Sequence, residues 1–143
     1  MFVQEVELFQ GIPSHIIDEI AGLATQENHE AGHVLFQEGD YADYLYILEE
    51  GEIALAVKGE KPLSFSVDKT GAIFGWSALV EPRRYTATAE CAKESKVIKV
   101  DADRLMRTFQ KHPAEGLAIM RRLAGVVAER LMKSYQELIV ARK

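Results

Sequence analysis

Between residues 71 and 89 the chain reads GAIFGWSALVEPRRYTATA. The pattern predicts a short apolar strand, a glycine, one helical turn, a basic bend that starts at a proline, and an alternating strand. Gly75 can adopt backbone conformations that are closed to other residues, so a ligand can approach the backbone closely there. Ser77 is placed to cap the helical turn at 78–80, whose first amide groups would then point outward without partners.

Two arginines follow this turn within a few residues. Guanidinium groups close to unpaired amides at a helix start favour an anion, and a phosphate is the natural occupant. The pattern therefore predicts a small anion site that includes Arg83 and Arg84. The alternative is that the two side chains only solvate an exposed bend.

The same segment resembles the phosphate-binding cassette of the cyclic nucleotide-binding domain family, which includes bacterial catabolite-activator proteins and the regulatory subunits of protein kinase A. The family pattern is roughly Phe-Gly-Glu-x-Ala-Leu, a short gap, and then Pro-Arg-x-Ala-Thr. The positions that match it are Phe74, Gly75, Ala78, Leu79, Pro82, Ala87 and Thr88. The resemblance implies a ligand site formed by Gly75, Trp76, Ser77, Ala78, Leu79, Arg83, Arg84, Tyr85 and Thr86.

Two departures from the family pattern fall on its chemistry. The family glutamate that holds the ribose 2′-hydroxyl is replaced by Trp76, which could stack on a base or fill the ribose position. The family arginine that pairs with the cyclic phosphate corresponds to Arg83 when the proline anchors the comparison, and to Tyr85 when the following strand does. Strand alternation favours Tyr85, because this position shares an inward face with Ala87 and Cys91. Arg83 precedes Tyr85 by two residues, so strand alternation would place it on the same inward face.

A third departure lies on the last helix, where the resemblance places hydroxyl residues that face the purine. The corresponding positions here are Val126 and Val127, whose side chains cannot donate hydrogen bonds to a base. We therefore expect weak or absent binding of cAMP. A different cyclic nucleotide or another phosphate-bearing ligand stays open, and no other cofactor is expected.

Length and composition set outer limits. A chain of 143 residues, 48% of them hydrophobic, is long enough for one domain with its own core. The net charge of −5 excludes a bulk attraction to nucleic acid or to an anionic membrane surface. Residues 1–10 lack the apolar core of a signal peptide, and Cys91 has no second cysteine to pair with. We expect a cytoplasmic protein that binds neither nucleic acid nor membrane.

Short apolar runs separated by turn signals follow residue 28 and predict an antiparallel sandwich or barrel. The runs are 34–36, 44–48, 53–57, 63–67, 72–74, 85–91 and 97–100. The resemblance implies an α+β, mainly β fold: an antiparallel jelly-roll β-barrel with helices at both ends. The expected single domain, 1–143, has N-terminal helices at 1–27, a barrel at 28–101 that contains the cassette 71–89, and C-terminal helices at 102–143.

A long helix is predicted from Ala114 to about Val140, after a break at His112 and Pro113. Its apolar stripe predicts a parallel homodimer, because it exceeds what one barrel can cover; packing on the chain's own barrel is the alternative. The stripe consists of Met120, Ala124, Val127, Leu131 and Leu138. Because the sequence stops at Lys143, the resemblance implies that the helix-turn-helix domain of catabolite activators is absent.

The sequence offers no catalytic constellation. The four histidines have no ligand-type spacing, no serine stands beside a plausible base, and no phosphate-binding glycine loop occurs. The favoured hypothesis is a non-enzymatic, metal-free sensor or regulatory domain for a small anionic ligand, with a downstream protein partner left open. The alternative is a ligand-free dimerisation or protein-interaction module whose pocket is filled by its own side chains.

Overall fold

The computed structural model describes residues 6–60 and 62–141, and within them eight strands form two four-stranded antiparallel sheets. The predicted α+β, mainly β fold with jelly-roll-like sheets is confirmed. In chain order the elements are a 3-10 turn Glu7–Phe9, α1 Ser14–Ala21, β1 Ala24–His29, β2 Val34–Phe36, β3 Tyr44–Glu50, β4 Ile53–Val57, β5 Leu63–Val67, β6 Ile73–Phe74, a 3-10 turn Trp76–Leu79, β7 Thr88–Cys91, β8 Ser95–Asp101, α2 Ala102–Lys111 and α3 Pro113–Ala141.

The two sheets have the strand orders β1-β8-β3-β6 and β2-β7-β4-β5. In the first sheet, β3 pairs with β8 from Tyr44 opposite Asp101 to Glu50 opposite Lys96. Residues 45–48 of β3 are all buried, so both faces of this strand are covered. Continuous burial of this kind explains why an unbroken apolar run, rather than an alternating one, forms the central strand.

Strand β1 was not predicted. Its sequence, ATQENH, holds one apolar residue, and half of its side chains are exposed. It forms nonetheless because all six residues pair with β8, from Ala24 opposite Val100 to His29 opposite Ser95. The sheets therefore begin at Ala24 rather than at the expected residue 28. The first part of the N-terminal segment predicted at 1–27, residues 1–5, lies outside the described residues.

Strand β7 starts at Thr88, three residues later than predicted. The preceding residues pair with the loop at 39–42 instead of extending the strand. The amide of Ala42 donates to the carbonyl of Arg83 (2.8 Å), and the amide of Tyr85 donates to the carbonyl of Asp40 (2.9 Å). Arg83 has a positive φ of 60°, which breaks the alternation of faces that the sequence suggested.

The two C-terminal helices lie close to their predicted bounds. Asp101 caps α2, since its carboxylate accepts a hydrogen bond from the amide of Arg104 (3.0 Å). Helix α3 passes so close to α2 at Gly116 that an added Cβ would lie 2.7 Å from Cβ of Phe109. The first half of α3 is anchored in the core by Ile119 and Leu123, whereas much of its second half is exposed. None of the described helices has the length and apolarity needed to cross a bilayer.

Candidate functional site

A cavity of about 570 Å³ lies between the second sheet, the turn after Gly75 and the second half of α3. Its apolar walls come from the second sheet, the cassette segment and the helix, and hydroxyl groups interrupt them. The apolar lining includes Phe36, Leu55, Val57, Phe65, Val67, Ala72, Ala87, Val127 and Leu131. The hydroxyl-bearing lining residues are Ser64, Ser66, Ser77, Tyr85, Thr86 and Ser134. This volume is within the usual range for small-molecule sites.

Gly75 fixes the start of the cassette turn. Its φ is +72°, and a Cβ there would lie 3.3 Å from the rings of Phe36 and Tyr46. The positive φ therefore favours glycine, and a side chain would in addition need the two rings to shift slightly. The 3-10 turn itself spans Trp76–Leu79, so the prediction that Ser77 caps a turn at 78–80 is wrong: Gly75 holds that place and Ser77 lies inside the turn.

The amides of this turn are less available than the sequence suggested. The amide of Ala78 donates to the carbonyl of Gly75 (3.2 Å), as expected within a 3-10 turn. Ala78 and Leu79 are both buried and do not line the cavity. Of the predicted ligand residues, the structure brings Gly75, Trp76, Ser77, Tyr85 and Thr86 to the cavity wall.

Tyr85 faces inward and is only 5% exposed. Its ring stacks on Phe36, with centroids 3.7 Å apart. Its hydroxyl donates to the carbonyl of Tyr44 (2.7 Å) and accepts from the amide of the same residue (3.3 Å). Burial raises the pKa of Tyr85 to about 12, so the phenol is neutral at physiological pH. This hydroxyl is committed to the backbone.

Arg83 and Arg84 lie outside the cavity. Nη1 of Arg83 donates to Oδ1 of Asp103 on α2 (2.8 Å), and Nη2 donates to the carbonyl of Ala42 (3.3 Å). The hydrogen bond with Asp103 raises the pKa of Arg83 above its usual value. Arg84 donates to the carbonyl of Gly39 (3.3 Å). The expectation that strand parity turns Arg83 inward is wrong, because its positive φ directs the chain toward α2.

One arginine does line the cavity, Arg130, which the sequence did not single out. Its Nη2 donates to the carbonyl of Ile73 (2.7 Å), and its guanidinium carbon lies 4.6 Å from the centroid of the Trp76 ring. Burial lowers its pKa, and the charge of Glu7 acts weakly in the opposite direction. The signal that could have found it is helical spacing: Val127, Arg130, Leu131 and Ser134 recur at i, i+3, i+4 and i+7.

The predicted dimer stripe divides between two faces of α3. Met120 and Val127 are half-buried and pack against the core. Ala124, Leu131 and Leu138 are exposed, with Leu131 49% and Leu138 55% accessible. Five further large apolar residues of α3 are exposed: Leu117, Met132, Tyr135, Ile139 and Val140.

The remaining candidates do not join this site. The rings of His29 and His33 stack with centroids 4.0 Å apart, and His112 contacts the carboxylate of Glu19 (2.8 Å). In the described part of the chain, His, Cys, Asp and Glu residues form no group of three or more that could hold a metal ion. Cys91 is buried, and burial raises the pKa of its thiol.

Comparison with known proteins agrees with this geometry. The family model described as the cyclic nucleotide-binding domain matches residues 26–112. The chain is 30% identical over 126 residues to a cAMP-dependent protein kinase regulatory subunit of Hypocrea atroviridis, a match that covers 87% of this chain and 26% of the relative. It is 25% identical to a CRP-like cAMP-activated global transcriptional regulator of Mycobacterium tuberculosis, over 92% of this chain and 58% of the relative.

The solved structure of a cyclic nucleotide-binding domain from Methylobacillus flagellatus has the same fold, with a TM-score of 0.82. The two are 19% identical, and the match covers 96% of this chain and 79% of that one. The chain therefore belongs to the cyclic nucleotide-binding domain family. It spans about a quarter of the fungal kinase subunit and somewhat more than half of the mycobacterial regulator. The residues matched by the family model end before α3 and so exclude Arg130.

Proposed function

We propose that this chain is a ligand-sensing regulatory domain whose ligand occupies the cavity between the cassette and α3. The observation that carries the proposal is that one cavity is lined by both parts: Gly75–Ser77 and Tyr85–Ala87 on one side, Val127–Ser134 on the other. A ligand that contacts both sides stabilises one position of the helix relative to the sheets. Differential binding of this kind is what a regulatory domain needs to transmit a signal.

The ligand is not expected to be cAMP bound in the standard family manner. Trp76 stands where the family has its ribose carboxylate, and the Tyr85 hydroxyl is engaged by the backbone of Tyr44. Arg83, the other candidate for the phosphate arginine, is paired with Asp103 outside the cavity. Loss of a buried charge-assisted pair weakens binding by about 2–5 kcal/mol, which raises a dissociation constant of about 1 μM to between about 30 μM and a few millimolar.

The exposed apolar face of α3 supports dimerisation with a second copy of the chain. Its exposed members follow a heptad-like spacing: Leu117, Ala124, Leu131 and Leu138, with Tyr135 beside them. Because Leu131 belongs to both the face and the cavity lining, a dimer would couple the ligand to the subunit contact. The test is the molar mass by light scattering of the variant Tyr135→Glu/Leu138→Glu, which should be a folded monomer. An unchanged dimeric mass would contradict this interface.

The cavity volume favours the sensor over the alternative of a module whose pocket is filled by its own side chains. The matched family is defined by ligand binding, and no catalytic family is indicated. The expectations of a cytoplasmic location, of no binding to nucleic acid and of a downstream protein partner stay predictions. So does the division of the chain into helical ends and a central barrel.

The deciding experiment is a thermal-unfolding screen with cAMP, cGMP, cyclic dinucleotides, inorganic phosphate and simple organic anions. A ligand in hundredfold excess over its dissociation constant should stabilise the domain by about 2.7 kcal/mol. Wild type should respond to at least one anion and respond weakly to cAMP. A sub-micromolar dissociation constant for cAMP by calorimetry would contradict the second expectation, and no response to any ligand would contradict the sensor.

A further inference from the structure

Arg130 is a half-buried cation with no ion-pair partner among the described residues. Its Nη1 is inaccessible to solvent and has no hydrogen-bond partner among the described residues. The ion pairs formed within residues 6–60 and 62–141 do not include it. What holds the side chain is one carbonyl, that of Ile73, and the face of the Trp76 ring.

This arrangement is costly for the protein alone. A desolvated charge is stabilised only where it is paired or fully hydrogen-bonded, and a cation–π contact compensates in part. Leaving one donor of a guanidinium unsatisfied adds to the cost. An anion that approaches the guanidinium from the cavity would offset this cost without breaking the bond from Nη2 to Ile73.

The rest of the cavity indicates what the anion must be attached to. The wall beside Arg130 is mainly apolar and aromatic, with Phe36, Phe65, Val127 and Leu131 among its residues. The other charged groups at its edge are two carboxylates and two amines, those of Asp68, Glu137, Lys69 and Lys133. All four residues are exposed, so water screens them, and Arg130 is the least exposed charged residue of the cavity lining.

We propose that Arg130 is the anion anchor of this cavity, and that it takes an amphipathic organic anion: one carboxylate, sulfonate or phosphate group at the guanidinium and an apolar body against the cavity wall. The inference rests on the proposed function, because it assumes that the cavity takes a ligand. The anchoring cation then comes from α3 and not from the bend at 81–87. An anion bound to the guanidinium holds α3 against β6 and the Trp76 turn, since Nη2 keeps its bond to Ile73.

The test uses decanoate as the probe and 1-decanol as the matched neutral compound. Trp76 is the chain's only tryptophan and lies under Arg130, so its emission reports directly on the site. Decanoate should shift the emission of Trp76 and raise the thermal midpoint, whereas 1-decanol should bind at least about tenfold more weakly. Two further compounds are tested beside them. Inorganic phosphate is an anion without an apolar body, and cAMP is an anion attached to a nucleoside.

Three variants separate the outcomes. Arg130→Gln should weaken the binding of decanoate about tenfold to a hundredfold, because the charge-assisted bond is lost. The affinity for decanoate should then be close to that for 1-decanol. Arg130→Lys keeps the charge but lacks the planar guanidinium. Its affinity for decanoate should lie between those of the wild type and Arg130→Gln. Arg107→Gln removes an arginine from the exposed side of α2 and should bind decanoate like the wild type.

Each result decides between the two proposals. If neither decanoate nor any other ligand changes the wild type, the proposed sensor fails and the anchor with it. If decanoate binds folded Arg130→Gln as tightly as wild type, the sensor stands and the anchor is overturned. If Arg130→Gln does not fold by circular dichroism, the comparison of decanoate with 1-decanol on wild type and on Arg130→Lys decides, and equal binding of the two compounds overturns the anchor.

Discussion

Arg83 and Arg130 carry the same guanidinium group in opposite circumstances. Arg83 lies in the segment that resembles the family cassette, yet its side chain is paired with Asp103 and with the carbonyl of Ala42. Arg130 lies beyond the matched segment, on α3, and lines the cavity. Each arginine has one buried side-chain nitrogen without a partner, Nε of Arg83 and Nη1 of Arg130. Arg83 has an ion pair outside the cavity, whereas Arg130 has none among the described residues.

The difference shows that a charged side chain is available to a ligand when it has no ion-pair partner in the protein. Its position in a sequence pattern does not decide this. To bind a ligand, Arg83 would first have to give up an ion pair and a carbonyl bond, so little net free energy would be gained. Arg130 has lost part of its hydration on folding, at Nη1 entirely, and has no ion pair to give up, so an anion improves its surroundings. The experiments that follow break or sharpen this contrast.

The largest effect should come from reversing the charge at the two positions. Arg130→Glu places a carboxylate near the Ile73 carbonyl with no donor to replace Nη2, and should lower the free energy of unfolding by about 3 kcal/mol. Arg83→Glu places a carboxylate beside the exposed Asp103 and should cost below about 1 kcal/mol. Urea unfolding measures both. Equal losses of unfolding free energy would show that the two arginines contribute equally to stability, and would remove the contrast.

A smaller effect is expected at Tyr85, which tests whether its phenol competes with Arg130 as a ligand donor. Tyr85→Phe removes the bond to Tyr44 and should lower the free energy of unfolding by about 1 kcal/mol at pH 7. Decanoate affinity should change less than about threefold, because the hydroxyl is already engaged. A loss as large as that of Arg130→Gln would make the phenol a direct ligand group.

The same variant has a characteristic pH dependence. The folded pKa of Tyr85 is about 12, above the unfolded value of 10.0, so its stabilising contribution is complete below pH 10 and is lost as the pH rises to 12. Across this window the unfolded chain releases the proton and the folded chain keeps it. Tyr85→Phe should therefore lose stability less steeply than wild type between pH 10 and 12. Tyr46, whose pKa burial also raises, contributes in the same direction in both proteins.

The sequence predicted most of the fold for physical reasons. Apolar runs identified seven of the strands in the described residues, because buried strands need them. Strand β1 was missed, since its pairing with β8 rather than its own side chains decides its conformation. The path at 81–87 could not be predicted, because a positive φ at a non-glycine residue such as Arg83 depends on the contacts around it.

The sequence predicted only one wall of the cavity, the one formed by the cassette segment. Local sequence specifies the turn after Gly75, and the family pattern covers it. The other wall comes from α3, where a charged residue between apolar ones suggests a solvent-facing position. Arg130 is an exception because the cavity leaves room for its side chain beneath the helix, and this depends on how α3 crosses the second sheet.

The smallest effect should follow from releasing Arg83 by Asp103→Asn. The carboxylate is 58% exposed, so the loss of the pair should change the free energy of unfolding by less than about 0.5 kcal/mol. The freed guanidinium would still lie outside the cavity, since the backbone bonds of Arg83 and Tyr85 to the loop at 39–42 hold this bend in place. The response to decanoate and to phosphate should therefore match the wild type. If Asp103→Asn strengthens phosphate-dependent stabilisation, and Arg83→Gln then removes the gain, the bend is a second anion site that its own ion pair had masked, and the contrast between the two arginines becomes one of competition rather than of position.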